Sequence, residues 1–340
     1  MKPLHTPFVL PSTAARASRR RILQSALAGA LAHVAYPVRA QSAASRPLRL
    51  IVPFAAGGPT DLMARTIATI MSEQSPRQVI VENKPGAGGN IAASTFATAP
   101  ADGTSLLVAG QAIMAINKAL YGTISYDPQG FLWVGALGSL PNVLVTNPNT
   151  VPARNVAEFV ALARSKPDGL SYGSNGIGSL AHLSTEVFAS AANVRFLHVP
   201  YQGVAPQISD LLSGRIDFSL IGASSAAPLV SGGRLNALAL TSAARMASLP
   251  GIPSFVEAGY PMMDIPVWFA IFAQPGVPAP MLQELRAAVT MATANPTYIH
   301  EIEKQFGQVN PLTPEQAQEM LSRERKVWTE TVARTGAKAN

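Results

Sequence analysis

The sequence predicts an α/β fold of two lobes, each with a mostly parallel sheet, joined by two hinge crossings of the chain. Three observations predict it. Short aliphatic or β-branched runs alternate with helical stretches, the pattern of parallel sheets covered by helices. About 300 residues remain after an N-terminal targeting segment, more than one core usually takes. Two polar, Pro-rich stretches, Asn147 to Pro152 and Gly259 to Pro266, interrupt the alternation without becoming long linkers. Two crossings make the second lobe an insertion: residues 41–147 with 266–340 form the first lobe and 148–265 the second. Lobes joined in this way open and close as a hinge.

Residues 1–40 read as an export signal cleaved after Ala40. Arg16 and Arg19 to Arg21 form its basic region, an apolar stretch runs from Ile22 to Val34, and Val38-Arg39-Ala40 offers small residues at the cut. Ser18 to Gln24 resembles a twin-arginine signal, with Sec export the other route, and the destination is the periplasm. The apolar stretch falls short of the roughly 20 residues that span a bilayer.

Strands are expected at Leu48–Pro53, Gln78–Glu82, Ser105–Ala109, Val143–Thr146, Leu170–Gly173, Arg195–Val199, Phe218–Ile221, Ala237–Thr241 and Trp268–Ala273. Helices begin at Thr60-Asp61, span Val156 to Ser165, run from Ala205 to a stop at Gly214, and span Pro280 to Thr293. Thr313-Pro314-Glu315 opens the last long helix, with Pro in its first turn.

The formal charge of +7 is a property of the signal. Residues 1–40 hold six of the 26 basic residues and no acid, leaving twenty basic against 19 acidic, so no nucleic-acid footprint is expected. No cysteine occurs, which excludes thiol catalysis, disulfides and Cys-ligated metal. His182, His198 and His300 are not spaced as zinc ligands, and no metal or cofactor is expected.

Three strand-to-helix turns are rich in glycine: Pro53 to Asp61, Asn83 to Ile91 and Tyr172 to Ser179. Glycine lets the backbone approach a ligand, and the unpaired N–H groups of a first helical turn favour an anion. Such turns converge at the carboxyl ends of parallel strands, where open α/β folds bind ligands. Asp61 suits a helix cap better than an anion contact. His182, one turn into the helix after the third loop, either orients a ligand or packs between helix and sheet. Gly176-x-Gly178-x-x-Ala181 fits a relaxed dinucleotide fingerprint, but the strand that follows does not end in the acidic residue that would hold a ribose. Neither a Walker A pattern nor a nucleophile elbow occurs. A Ser174/His182 hydrolase is the enzymatic alternative, and it lacks a third orienting group.

These residues resemble the Bug receptors, the TctC-like periplasmic binding proteins of tripartite tricarboxylate transport systems. The resemblance rests on Pro53-Phe54-x-x-Gly57-Gly58-x-Thr60-Asp61, Glu82 to Ile91, Asp102-Gly103, Tyr126-Asp127-Pro128 and Tyr172 to His182. It continues through His198-Val199-Pro200-Tyr201-x-Gly203, Asp210 to Asp217 and Leu249 to Pro253. It implies a type II periplasmic binding protein fold, no enzymatic activity, a small organic carboxylate as ligand, and delivery to membrane transporter subunits by a monomeric receptor. A ligand-sensing receptor for a signalling partner is the alternative. It also implies ligand roles for Gly57, Gly58, Thr60, Ala87, Gly88, Ser174, Asn175, Gly178 and Ser179, with His182 beside them.

Phe54, Ser224, Ser225 and the segment Pro266 to Phe269 are expected at the distal wall of the pocket, where Trp268 either stacks an aromatic acid or packs at the hinge. After Ile221 many relatives place Asp or Asn, whereas this chain reads Gly222-Ala223-Ser224-Ser225. A carboxylate without an amine is the ligand this departure favours.

Overall fold

The computed structural model describes residues 46–339, so the export signal expected over residues 1–40 lies outside the described residues. Among the described residues, ten strands form two five-stranded sheets. The first contains β1 (Leu48–Val52), β2 (Val79–Asn83), β3 (Ser105–Gly110), β4 (Leu132–Leu140) and β10 (Val267–Ala273), in the order β2-β1-β3-β10-β4. The second contains β5 (Asn142–Thr146), β6 (Leu170–Ser174), β7 (Phe196–Pro200), β8 (Phe218–Gly222) and β9 (Asn236–Leu240), in the order β7-β6-β8-β5-β9.

In each sheet one strand runs against the other four. β10 is antiparallel to β3 and β4, and β5 is antiparallel to β8 and β9. Each is the strand that arrives from the other sheet, entering directly rather than through the crossover helix a parallel neighbour requires. The chain leaves the first sheet at Pro141, between β4 and β5. Asn147 to Pro152, where a crossing was expected, lies wholly beyond β5: Asn147 there accepts the N–H groups of Thr150 and Val151 and its side chain donates to the carbonyl of Leu211. The return falls between β9 and β10, the interval that contains Gly259 to Pro266.

The expected strands form with ends displaced by a residue or two; β4 was not foreseen. Its sequence carries Gly135 and Gly138, unusual in a strand interior. A Cβ at Gly135 would lie 2.7 Å from the Val289 side chain, so the glycine lets a helix settle close on the sheet.

The helices are α1 (Pro59–Glu73), α2 (Asn90–Ala97), α3 (Asn117–Tyr121), α4 (Val156–Ser165), α5 (Leu180–Ala192), α6 (Val204–Leu212), α7 (Ala223–Ser231), α8 (Ala279–Thr293), α9 (Pro296–Glu303) and α10 (Pro314–Thr335). A π-helical turn, Ala112–Ile116, leads into α3. Alternate residues of β1 face opposite sides: Leu48, Leu50 and Val52 pack in one buried cluster and Ile51 in another.

Helix α10 serves both lobes. Ala317 and Leu321 pack with Trp133, Trp268 and Phe272 of the first, whereas Trp328 and Val332 pack with Phe159, Tyr172 and Phe218 of the second. The stretch 266–340, assigned to the first lobe from sequence, therefore ends against the second.

Candidate functional site

The first loop joins β1 to α1. Gly58 is the N-cap residue without a side-chain cap and Pro59 follows as the first helical residue. The N–H groups of Thr60 and Asp61 therefore precede the first helical bond, which Leu62 makes to Gly58. Asp61, 1 % exposed, turns its carboxylate back to hold the loop. It accepts from Gly57 N at 2.9 Å, Arg65 Nε at 2.8 Å and Asn83 Nδ2 at 2.8 Å. Burial works against the charge of Asp61, but these hydrogen bonds outweigh it and hold the carboxyl below its ordinary pKa. Asp61 thus shapes the loop from within the first turn of the helix, and the expectation that it caps the helix is corrected: the N-cap is Gly58, without a side-chain cap. Phe54 is exposed and meets Phe269 edge-on, ring centroids 5.9 Å apart.

Asn83 ends β2, and its Nδ2 also donates to the carbonyl of Phe54 at 3.0 Å, which ties the first loop to the second. Residues 86–89 of the second loop all have positive φ, Ala87 among them at 46°. That is strained geometry for a residue with a Cβ, of the kind that gathers at ligand sites. Ala87 and Gly88 are exposed, and their N–H groups precede the first bond of this turn, from Gly89 N to Gly86 O. Buried Asn117 of α3 donates to Gly88 O at 3.0 Å and to Asn90 Oδ1 at 2.7 Å.

The third loop joins β6 to α5. Ser174 is fully buried. Its Oγ donates to Gly176 O at 3.0 Å, accepts from Gly176 N at 3.2 Å and lies 2.6 Å from His198 Nε2. The Ser174–His182 pair of the hydrolase alternative does not form. His182 Nδ1 accepts from Gly178 N at 3.0 Å, and Ser179 Oγ caps α5 by accepting from His182 N. The two imidazoles stack with centroids 4.0 Å apart and planes 5° from parallel. Burial and then the neighbouring His182 lower the His198 pKa to about 4; burial lowers that of His182 against an opposing pull from Glu186. Two neutral rings are what such close stacking requires. The Ser174 hydroxyl has one proton and two acceptors in reach, Gly176 O and His198 Nε2, so the tautomer of His198 sets which of the two it serves. Asn175 is exposed beside this arrangement, and Gly178 is buried.

Ser224 and Ser225 sit in the first turn of α7, whose N-cap Gly222 offers no side-chain cap. Ala223 N donates to Pro141 O at 3.0 Å, which places this helix start at the crossing between sheets. Trp268 is buried rather than open to a ligand: its Nε1 donates to Glu324 Oε1 at 2.8 Å. Among the described residues, no three metal-ligating acidic or histidine side chains cluster. A cavity of about 610 Å³ is lined by Val143, α7, Leu249 to Ile252 and Phe306, and none of the glycine-loop residues borders it.

Helix α3 was missed from sequence, yet it links two loops. Asn117 holds the second, and Leu120 packs so tightly on the third that a Cβ at Gly178 would lie 2.5 Å from its methyl groups. The π turn ahead of α3 breaks the 3.6-residue period that would have revealed it. Asn83 and His198 stand in the motifs quoted above; nothing in their spacing reveals their partners, 22 and 24 residues away.

Comparison with known proteins agrees with this architecture. The family model described as tripartite tricarboxylate transporter family receptor matches residues 63–337. The protein BugT of Bordetella pertussis is 32 % identical over 311 residues, which cover 91 % of this chain and 95 % of BugT. A solved structure of an R. palustris protein with adipate is 32 % identical with a TM-score of 0.72, covering 88 % of this chain and 98 % of that one. MatC from Rhodopseudomonas palustris with bound malate is 28 % identical with a TM-score of 0.69, covering 87 % and 100 %.

Proposed function

Since this chain belongs to the family of tripartite tricarboxylate transporter receptors, we propose that it binds a small organic carboxylate between its lobes and delivers it to membrane transporter subunits of that system. The family is one of periplasmic solute-binding proteins, and the periplasm is where this chain is expected to work. One observation carries the reading. The first turns after β1, β2 and β8 present N–H groups that no helical bond uses, at Thr60 and Asp61, at Ala87 and Gly88, and at Ser224 and Ser225. Fixed N–H dipoles bind an anion without the desolvation cost of burying a cation.

The ligand roles proposed for Phe54, Gly57, Gly58, Thr60, Ala87, Gly88, Asn175, Ser179, Ser224 and Ser225 follow from their places in or beside these turns. Ser174 and Gly178 contribute in this reading by fixing the shape of the third loop, since their polar groups are already bonded there, whereas His182 accepts Gly178 N with Nδ1 and keeps Nε2–H as a donor for the ligand role proposed for it. Because the start of α7 carries Ala223-Ser224-Ser225 and no carboxylate, the ligand proposed is one without an amine. Relatives of solved structure hold adipate and malate, both of this kind.

A thermal-shift screen of the purified protein against dicarboxylates, tricarboxylates, aromatic acids, amino acids and sugars tests this. A ligand at a hundred times its Kd adds about 2.7 kcal/mol of stability. Shifts confined to amine-free carboxylates are expected; a response to sugars alone would refute the anion reading, and one to aspartate or glutamate the specificity.

A further inference from the structure

We propose that Tyr121 is a ligand-contacting residue whose phenolic hydroxyl joins the second glycine loop in holding one carboxylate oxygen. The inference rests on the carboxylate-binding reading and adds a residue to it. Tyr121 ends α3, one turn after Asn117, whose side chain draws the Gly88 carbonyl toward that helix. The Tyr121 hydroxyl comes so near the loop that a Cβ at Gly88 would lie 3.1 Å from it, tighter than ordinary contact. The φ of +61° favours glycine here, and the absent Cβ leaves room for this hydroxyl beside the loop.

Among the described residues nothing accepts from or donates to that hydroxyl, a condition it shares with Tyr260, which lies away from the glycine loops. The hydroxyls of Tyr126, Tyr172 and Tyr201 bond to Asn90, Glu186 and Asp210, and that of Tyr298 bonds to the carbonyl of Leu137. Tyr121 Oη has no hydrogen-bond partner among the described residues, and the side chain is half-buried, held against the loop rather than loose in solvent. A phenol at neutral pH donates one proton, and the N–H groups of Ala87 and Gly88 beside it also donate. Three neutral donors at one loop suit an anionic acceptor with several lone pairs. A carboxylate oxygen meets that description, and an O–H···O⁻ bond is among the shorter and stronger hydrogen bonds.

The helix that presents Tyr121 also carries Leu120, which packs on Gly178 of the third loop. Consecutive residues of this helix thus meet two loops, Leu120 the third and Tyr121 the second.

The test is calorimetric titration of the full protein and its Tyr121→Phe variant with adipate, malate and succinate, together with the thermal midpoint of each without ligand. The expected result is an unchanged unliganded midpoint and an affinity about ten- to a hundredfold weaker for whichever acid the wild type binds, as for losing a hydrogen bond to a charged group. An ultraviolet difference spectrum of tyrosine on adding that acid should appear in the wild type and vanish in Tyr121→Phe, which a purely structural role would not produce. Equal affinity in the two proteins overturns the proposal. A lowered unliganded midpoint that accounts for the weaker binding overturns it as well. Failure of the wild type to bind any carboxylate removes the carboxylate reading itself, and this inference with it.

Discussion

Asp61 and His198 show how a residue acts through partners that its own position in the chain does not reveal. Asp61 is legible as a helix-start acid unsuited to touch an anion, and it does turn inward. Its bond to Gly57 is local, but the bond to Asn83, by which it shapes two loops at once, depends on the pairing of β1 with β2 and so is invisible in sequence. Asp61→Asn should lower stability by roughly 1–3 kcal/mol in urea denaturation, because an amide cannot accept all three donors and turns one of its own toward them. The charge also sets a pH dependence. The folded pKa lies below the ordinary value of 3.8, so the unfolded chain takes up the proton first as pH falls. The stabilisation is present above the unfolded pKa and is lost on acidification through the folded one. Comparing acid titrations of wild type and Asp61→Asn should show that loss in the wild type only.

At the scale of elements, the glycine turns and most strands could be read from composition because each is a local pattern. β4 and α3 could not. The glycines of β4 answer to Val289 on a distant helix, and α3 hides behind a π turn. Leu120→Ala should cost about 2–5 kcal/mol, the range for emptying a buried leucine site, and should also weaken ligand binding because the third loop loses its support. Equal affinity in that variant would show that α3 does not position the loop. The last helix offers the contrasting case, since Thr313-Pro314-Glu315 marks its start correctly. The structure completes the mark with a reciprocal capping box between Thr313 and Gln316. Thr313→Ala should cost about 1 kcal/mol, measurable as a lower denaturation midpoint.

For the molecule as a whole, two α/β lobes with mostly parallel sheets follow from the alternation of strand and helix, and the sheets bear this out with one reversed strand in each. The point of crossing was misplaced because a single proline, Pro141, suffices to pass the chain from one sheet to the other. Near the return crossing, Glu324 receives the Trp268 indole while its Oε2 has no partner among the described residues. Burial raises its pKa to about 7, against the opposing pull of the Trp268 indole and Arg323 and with a small further push from the acid Asp264. Here the sign is reversed relative to Asp61. The folded state keeps the proton longer than the unfolded chain, so stability falls as pH rises from about 4.5 to about 7 and levels off above. Calorimetric melting of Glu324→Gln, which carries the neutral form at every pH, should show a flatter profile and a midpoint at pH 8 no lower than that of the wild type.

Helix α10 gives the hinge an unusual kinematics. Two strands between two bodies permit a bend and a twist, like a strip of leather. A rod about 33 Å long, rooted in one body by Leu321 and in the other by Trp328, removes part of that freedom. Any rotation about the crossing strands must then be matched by a slide of the Trp328 end in its socket or by a bow in the rod. The stroke of the jaws is thereby set by a part of the chain that carries none of the three glycine loops, and could drift in evolution without touching what the jaws grip.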